Sequence, residues 1–229
     1  MVLSTAAEDY LKAIYQLRAQ NEHERSGGTV TTQALADRLG VAAPSATAMV
    51  KKLAGLKLLR HEKYRGVELT EAGEKIALEV IRHHRLIETF LAEVLGMDWD
   101  QVHAEAEKWE HVLSEEVEAK IVAALNNPTH DPHGSPIPTL DGKLPAHDWQ
   151  NLTGAAQNGT AVHWLVRRVS DHNPAVLRHL REVGLVPNAH VEVLQARPEA
   201  GVLQLRINGI EHTIGVEPAR AVWVSLQVA

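Results

Sequence analysis

His83-His84-Arg85-Leu86-Ile87-Glu88 and His103-Ala104-Glu105-Ala106-Glu107-Lys108-Trp109-Glu110-His111 carry imidazole and carboxylate groups at a repeated interval of four residues. His84 and Glu88 would stack on one face of a helix. His103, Glu107 and His111 repeat that spacing, and Glu110 follows Glu107 by three. At about 100° per residue, these four fall inside a stripe roughly 100° wide. Two successive helices that turn such groups toward a shared seam describe a cage for a divalent cation. Several carboxylates in an apolar seam would repel one another without one. The chain has no cysteine, which excludes a thiolate site, a cysteine nucleophile and a disulfide scaffold. Met49 and Met97 lie outside the seam. Oxygen and nitrogen donors without sulfur suit Mn²⁺ or Fe²⁺, although Zn²⁺, Ni²⁺ and Co²⁺ bind such sites in vitro as well.

The 229 residues carry a net charge of −6, which by itself argues against a nucleic-acid binder. The charge is uneven. Residues 1–70 sum to +3, residues 71–150 to −10 and residues 151–229 to +1. The acidic centre also holds seven of the fourteen histidines, as cation chemistry requires, and the basic N-terminal segment is free to meet phosphate. No apolar run approaches the roughly 18 residues that cross a bilayer, and no export signal is evident. We therefore expect a cytoplasmic protein with no membrane partner.

The elements that must position these groups follow from periodicity and punctuation. Asp9 to Arg18 reads as an amphipathic helix. Thr31-Thr32-Gln33 opens a second helix that Gly40 ends, and Pro44 starts a third through about Leu53. Leu58 to Leu69 alternates around a charged tip, as a two-stranded ribbon does. Helix, turn, helix and basic ribbon in this order make a winged helix-turn-helix. Pro44, Ser45, Thr47, Lys51, Lys52 and Arg65 are then the DNA-facing residues, with Ser45 and Thr47 toward bases or phosphate and the basic residues toward phosphate. Thr70 caps a long helix to about Leu95. Shorter helices span roughly Trp99 to His111 and Ser114 to Leu125. Asn126 to Gly159 holds half of the ten prolines and reads as a linker with extended pieces. Beyond it come strands and one short helix, Pro174 to Glu182. Asn208-Gly209 is a strong hairpin signal, and a five-stranded SH3-like barrel is the expected closure.

The fold class is therefore mainly α with a small β domain. We divide the chain into a winged helix-turn-helix DNA-binding domain (1–70), a helical metal-binding and dimerisation domain (71–126), a Pro-rich linker (127–159) and an SH3-like, FeoA-like domain (160–229). The apolar side of the central helices near Leu91, Leu95 and Trp99 is the expected dimer surface.

Ala7-Glu8-Asp9-Tyr10-Leu11, the two His/Glu stretches above and Asp131-Pro132-His133-Gly134-Ser135-Pro136-Ile137-Pro138 together resemble the diphtheria toxin repressor family of metal-dependent regulators, and within it the manganese transport regulators. The resemblance spans nearly the whole chain. It implies a regulatory metal site of Asp9, Glu107, Glu110 and His111, and an ancillary site of His84, Glu88 and His103. Iron-responsive members carry Met and Cys where this chain has Asp9 and Glu107, so the resemblance favours Mn²⁺, with Fe²⁺ second. Lys12 stands where some manganese regulators have a further acidic ligand. Asp171, His172 or Asn173 lie where the barrel supplies metal ligands in iron-responsive members.

The function this implies is a metal-activated repressor of metal-uptake genes. It would bind a double-stranded operator as a homodimer, with the metal tying the DNA-binding domain to the metal-binding domain. A metal-dependent hydrolase using the same His/Glu cage is the alternative, although no Gly-rich phosphate loop or nucleophile elbow accompanies the cage. A metal-independent scaffold whose barrel captures Pro-rich peptide is a third reading.

Overall fold

The computed structural model describes residues 3–23, 29–62, 66–158 and 162–227, and the chain forms two compact units. The first comprises residues 1–83, 110–113 and 138–143; the second comprises 84–109, 114–137 and 144–229.

In the first unit, α1 (Thr5–His23), α2 (Thr32–Leu39) and α3 (Ala43–Gly55) precede an antiparallel ribbon of β1 (Leu59–Glu62) and β2 (Gly66–Leu69). The Thr31 hydroxyl accepts from Ala34 N at 3.0 Å to start α2. Gly40, in the left-handed region, ends it. Tyr10, Leu11 and Ile14 of α1 share one core with Leu35, Val50, Leu53 and Val67. This is the winged helix-turn-helix. The first turns of α4 (Glu71–Glu93) join it through Ala77. Thr70 Oγ1 accepts from Gly73 N at 3.2 Å. Gly73 admits no side chain, because a Cβ there would run into the Leu58 carbonyl. Arg18 fastens α1 to α4 by two bonds to Glu74, at 2.8 and 3.1 Å.

The second unit contains the rest of α4, α5 (Val102–Trp109) and α6 (Glu115–Ala124). Ser114 caps α6, and Glu115, Glu116 and Glu118 favour its positive end. The four-residue spacing predicts a helix through His111, but α5 stops at Trp109 and leaves Glu110 and His111 in a turn. The next apolar residue, Val112, is 79% exposed, so no buried contact holds a further turn.

The β domain adds β3 (Gln150–Asn151), α7 (Leu152–Ala155), β4 (His163–Val169), α8 (Pro174–Glu182), β5 (His190–Arg197), β6 (Val202–Ile207), β7 (Ile210–Gly215), α9 (Val216–Ala219) and β8 (Val222–Leu226). All its pairings are antiparallel, in the order β3-β8-β4-β5-β6-β7. The five expected strands are present and β3 is a sixth. Trp164, Val166, Leu177, Val193, Leu205 and Val224 lie in its core.

The stretch read as a linker is partly interior. Leu152, Ala155 and Ala156 belong to the barrel core. Asp131, His133, Ser135 and Ile137 are buried. Asp131 Oδ1 accepts from the backbone of both His133 and Ser135, each at 2.9 Å, and Val169 N donates to the His133 carbonyl at 2.9 Å. Arg85 of α4 donates to the Pro136 carbonyl. Polar and backbone bonds of this kind leave no apolar period in the sequence. Gly134 sits at φ +87, where an added Cβ would collide with the Arg167 carbonyl. Gly134→Ala is expected to cost about 2 kcal/mol or more, combining left-handed strain and overlap. Thermal unfolding of the metal-free protein checks this, and an unchanged midpoint would contradict the packing.

Leu91 is buried within the unit and Trp99 packs on the barrel core. Of the expected dimer-surface residues only Leu95 is exposed, together with Val94, Trp109 and Val117. Among the described residues, no helix is long and apolar enough to cross a membrane.

Candidate metal centres and nucleic-acid interface

In the first unit, α1 presents Glu8, Asp9 and Lys12 to the turn that carries Glu110 and His111. His111 Nε2 lies 2.8 Å from Asp9 Oδ1, and its Nδ1 lies 2.7 Å from Glu8 Oε2. Glu110 Oε1 is 3.3 Å from His111 Nε2. The Glu110 side chain is fully buried and meets Lys12 Nζ at 2.9 and 2.7 Å. His83 Nδ1 holds the Glu110 backbone carbonyl at 3.0 Å. Burial raises the Asp9 carboxyl above its ordinary value, against the pull of His111. Asp9, Glu110 and His111 offer donor atoms all within 4.8 Å of one another. Two carboxylates and an imidazole without sulfur fit a hard or borderline divalent cation. Glu107, expected with them, belongs to the second unit, where its Oε1 is 3.8 Å from both His84 Nδ1 and His103 Nε2, and its side chain is 43% exposed.

In the second unit, Glu88 is the hub of a larger cluster. Its Oε1 is 3.0 Å from His84 Nε2 and 3.2 Å from His103 Nδ1. His84 Nε2 and His103 Nδ1 are 3.0 Å apart, and Asp171 Oδ2 is 3.5 Å from His103 Nδ1. His84, Glu88, His103 and Asp171 offer donors within 4.8 Å of one another. Burial would raise the Glu88 carboxyl, but the neighbouring His84 and His103 hold it well below the usual range. Burial would lower His103, yet Asp171 and Glu88 bring it up to about 10.

Sequence reasoning did not single out Asp131 and His133 as donors. Both are buried, and His133 Nδ1 lies 3.7 Å from Glu88 Oε2, an ion-pair distance too long for a hydrogen bond. Glu88 Oε2, Asp131 Oδ2 and His133 Nδ1 are buried without a hydrogen-bond partner. Three buried ligand atoms without hydrogen-bond partners in one place fit a divalent cation, since buried polar atoms are otherwise paired. The only sequence signal was the Asp-Pro-His segment itself, which has no helical spacing. Burial would lower His133, but the Glu88 carboxylate beside it brings it up to about 9, and burial together with Glu88 raises Asp131 to about 6. Of the barrel candidates, Asp171 joins the cluster and His172 Nδ1 sits 3.3 Å from Asp171. Asn173 Oδ1 accepts from Ala175 N and Val176 N at 3.0 and 3.3 Å, capping α8.

On α3, Ala46, Val50 and Leu53 are buried, while Pro44, Ser45, Lys51 and Lys52 are exposed along the opposite face. Thr47 is half-buried and donates its hydroxyl to the Ala43 carbonyl at 2.9 Å. Arg65 lies outside the described residues.

A winged helix-turn-helix whose first helix meets a histidine-bearing turn through buried and half-buried carboxylates has the plan of a metal-responsive DNA-binding regulator. Comparison with known proteins agrees. Residues 2–67 match the N-terminal DNA-binding domain of iron-dependent repressors, residues 70–139 their metal-binding and dimerisation domain, and residues 156–226 the FeoA domain. The iron-dependent repressor IdeR of Mycobacterium tuberculosis is 39% identical over 232 residues, covering 97% of each chain. The diphtheria toxin repressor of Corynebacterium diphtheriae is 36% identical over 139 residues, 61% of this chain and 59% of that protein. A solved manganese-dependent transcriptional repressor in complex with manganese superposes with a TM-score of 0.85 at 36% identity, covering 96% of this chain and 100% of that one. Zinc-bound ScaR superposes with a TM-score of 0.79 at 29% identity, covering 96% and 99%. The chain belongs to the iron-dependent repressor family of metal-dependent transcriptional repressors. These relatives are repressors and not enzymes, so the hydrolase reading has no support among them.

Proposed function

We propose that this protein represses metal-uptake genes in the cytoplasm by gripping a double-stranded operator as a homodimer when Asp9, Glu110 and His111 hold a divalent cation. The observation that carries the reading is the 2.8 Å approach of His111 Nε2 to Asp9, which lies in the segment matching the DNA-binding domain, whereas His111 lies in the segment matching the metal-binding domain. The bound cation supplies the positive charge that lets carboxylates of both segments share one centre. The chain's own groups do the rest. The Glu110 backbone is held by His83, its side chain is kept from water, and α1 is drawn to the turn, fixing the helix that packs behind α2 and α3. Such a cation acts only through its preference for the DNA-competent arrangement. Asp9 and Glu110 are hard donors and favour Mn²⁺, with Fe²⁺ as the other physiological candidate. Glu107 is assigned to this centre by family resemblance. We assign His84, Glu88, His103 and Asp171, with Asp131 and His133, to an ancillary centre.

Selection of bound sequences from random duplex DNA, with Mn²⁺, with Fe²⁺ and with chelator, tests this. A near-palindromic sequence enriched only with metal is expected. Equal enrichment in chelator would overturn the reading. Lys51→Ala and Lys52→Ala should each weaken binding across sequences and lower the salt slope by about 1, as phosphate contacts do. An unaltered slope would remove them from the interface.

A further inference from the structure

Lys12 and Glu110 form an ion pair inside the first candidate centre. Nζ lies 2.9 Å from Oε1 and 2.7 Å from Oε2, with side-chain exposures of 7% and 0%. Lys12 is four residues from Glu8 and three from Asp9 on α1, so all three share one helical face. That face offers two carboxylates and one ammonium to the turn. Glu110 Oε1 faces the ammonium on one side and His111 Nε2, 3.3 Å away, on the other. It is therefore claimed twice: by Lys12 in the present structure, and by the cation that Asp9, Glu110 and His111 are arranged to hold.

We propose that Lys12 is a tethered competitor for the metal, neutralising Glu110 in the metal-free protein and setting the cation concentration at which the centre fills. The proposal rests on the Asp9–Glu110–His111 reading and deepens it. A fully buried carboxylate needs a counter-charge, and with Lys12 removed Glu110 would face Asp9 with one imidazole between them. That charge balance stabilises the metal-free state. It also opposes loading, because a divalent cation at Glu110 is repelled by an ammonium already touching both its oxygens. The two effects have the same sign, so Lys12 lowers metal affinity while it raises metal-free stability.

The test uses the full chain, demetallated, as wild type, Lys12→Met and Lys12→Gln. Mn²⁺ affinity is read by calorimetry, and unfolding temperature is read with and without Mn²⁺. The expected result is tighter Mn²⁺ binding in both variants by at least about 10-fold, the effect a like charge within ~4–6 Å typically exerts. The metal-free unfolding temperature should fall, and saturating Mn²⁺ should raise it by more than in wild type. Should Lys12→Met fail to fold, Lys12→Gln carries the test, since its amide still donates to Glu110 without the charge. A purely structural ion pair shares the fall in metal-free unfolding temperature but differs in the rest: the temperature stays lower with metal as well, and Mn²⁺ affinity is unchanged or weaker. That pattern overturns the proposal while leaving the metal site standing. Mn²⁺ heat in the variants and none in wild type would support it strongly. No heat in any of the three would remove the metal reading and the proposal together.

Discussion

His111→Ala is expected to make operator retention in Mn²⁺ equal to retention in chelator. His111 reaches both Glu8 and Asp9, at 2.7 and 2.8 Å, while lying 3.3 Å from Glu110. Without it α1 keeps its carboxylates but loses the nitrogen that joins them to the turn. Mn²⁺ affinity should fall by at least about 100-fold, the upper end of what outer-shell changes cost. The metal-free fold should survive, because the Lys12–Glu110 pair and the apolar core of the first unit remain. Calorimetry and fluorescence anisotropy on one duplex measure both effects. Metal-dependent DNA binding within a few-fold of wild type would mean that the donors lie elsewhere.

Glu88→Gln should be the most damaging conservative change in the second unit. Glu88 is completely buried, with His84 at 3.0 Å, His103 at 3.2 Å and His133 at 3.7 Å. The amide leaves His103 and His133 without their common counter-ion, and breaking a buried pair in this way costs about 3–5 kcal/mol. The pH dependence has a definite sign. His103 and His133 are raised to about 10 and about 9. Their contribution to stability is therefore complete below the ordinary histidine value near 6.5 and is lost as pH rises through about 9 to about 10. Glu88 is held well below its ordinary value, so its contribution is present above that value and is lost only as pH falls through the depressed one. Metal-free wild type should thus lose stability on the alkaline side, and Glu88→Gln should show a shallower loss from a lower plateau. Chemical denaturation between pH 6 and 10 would sink the prediction if the two proteins gave the same plateau and slope.

The local chemistry of this protein is legible in its sequence. Thr31 and Gly40 bracket a helix, Pro44 starts the next, Asn208-Gly209 closes a hairpin, and imidazoles and carboxylates recur where helices turn them to one side. Each of these depends on neighbours within a few residues, whose preferences one stretch of chain expresses alone. Which donors meet was decided by tertiary packing. Ending α5 at Trp109 leaves Glu110 and His111 in a turn, beyond the helix that carries His103 and Glu107. Lys12 meets Glu110 across 98 residues and Asp9 meets His111 across 102. Asp131 and His133 reach Glu88 because backbone bonds, not apolar periodicity, seat their segment. Contacts of that separation require many elements to be in place at once, and no local spacing encodes them.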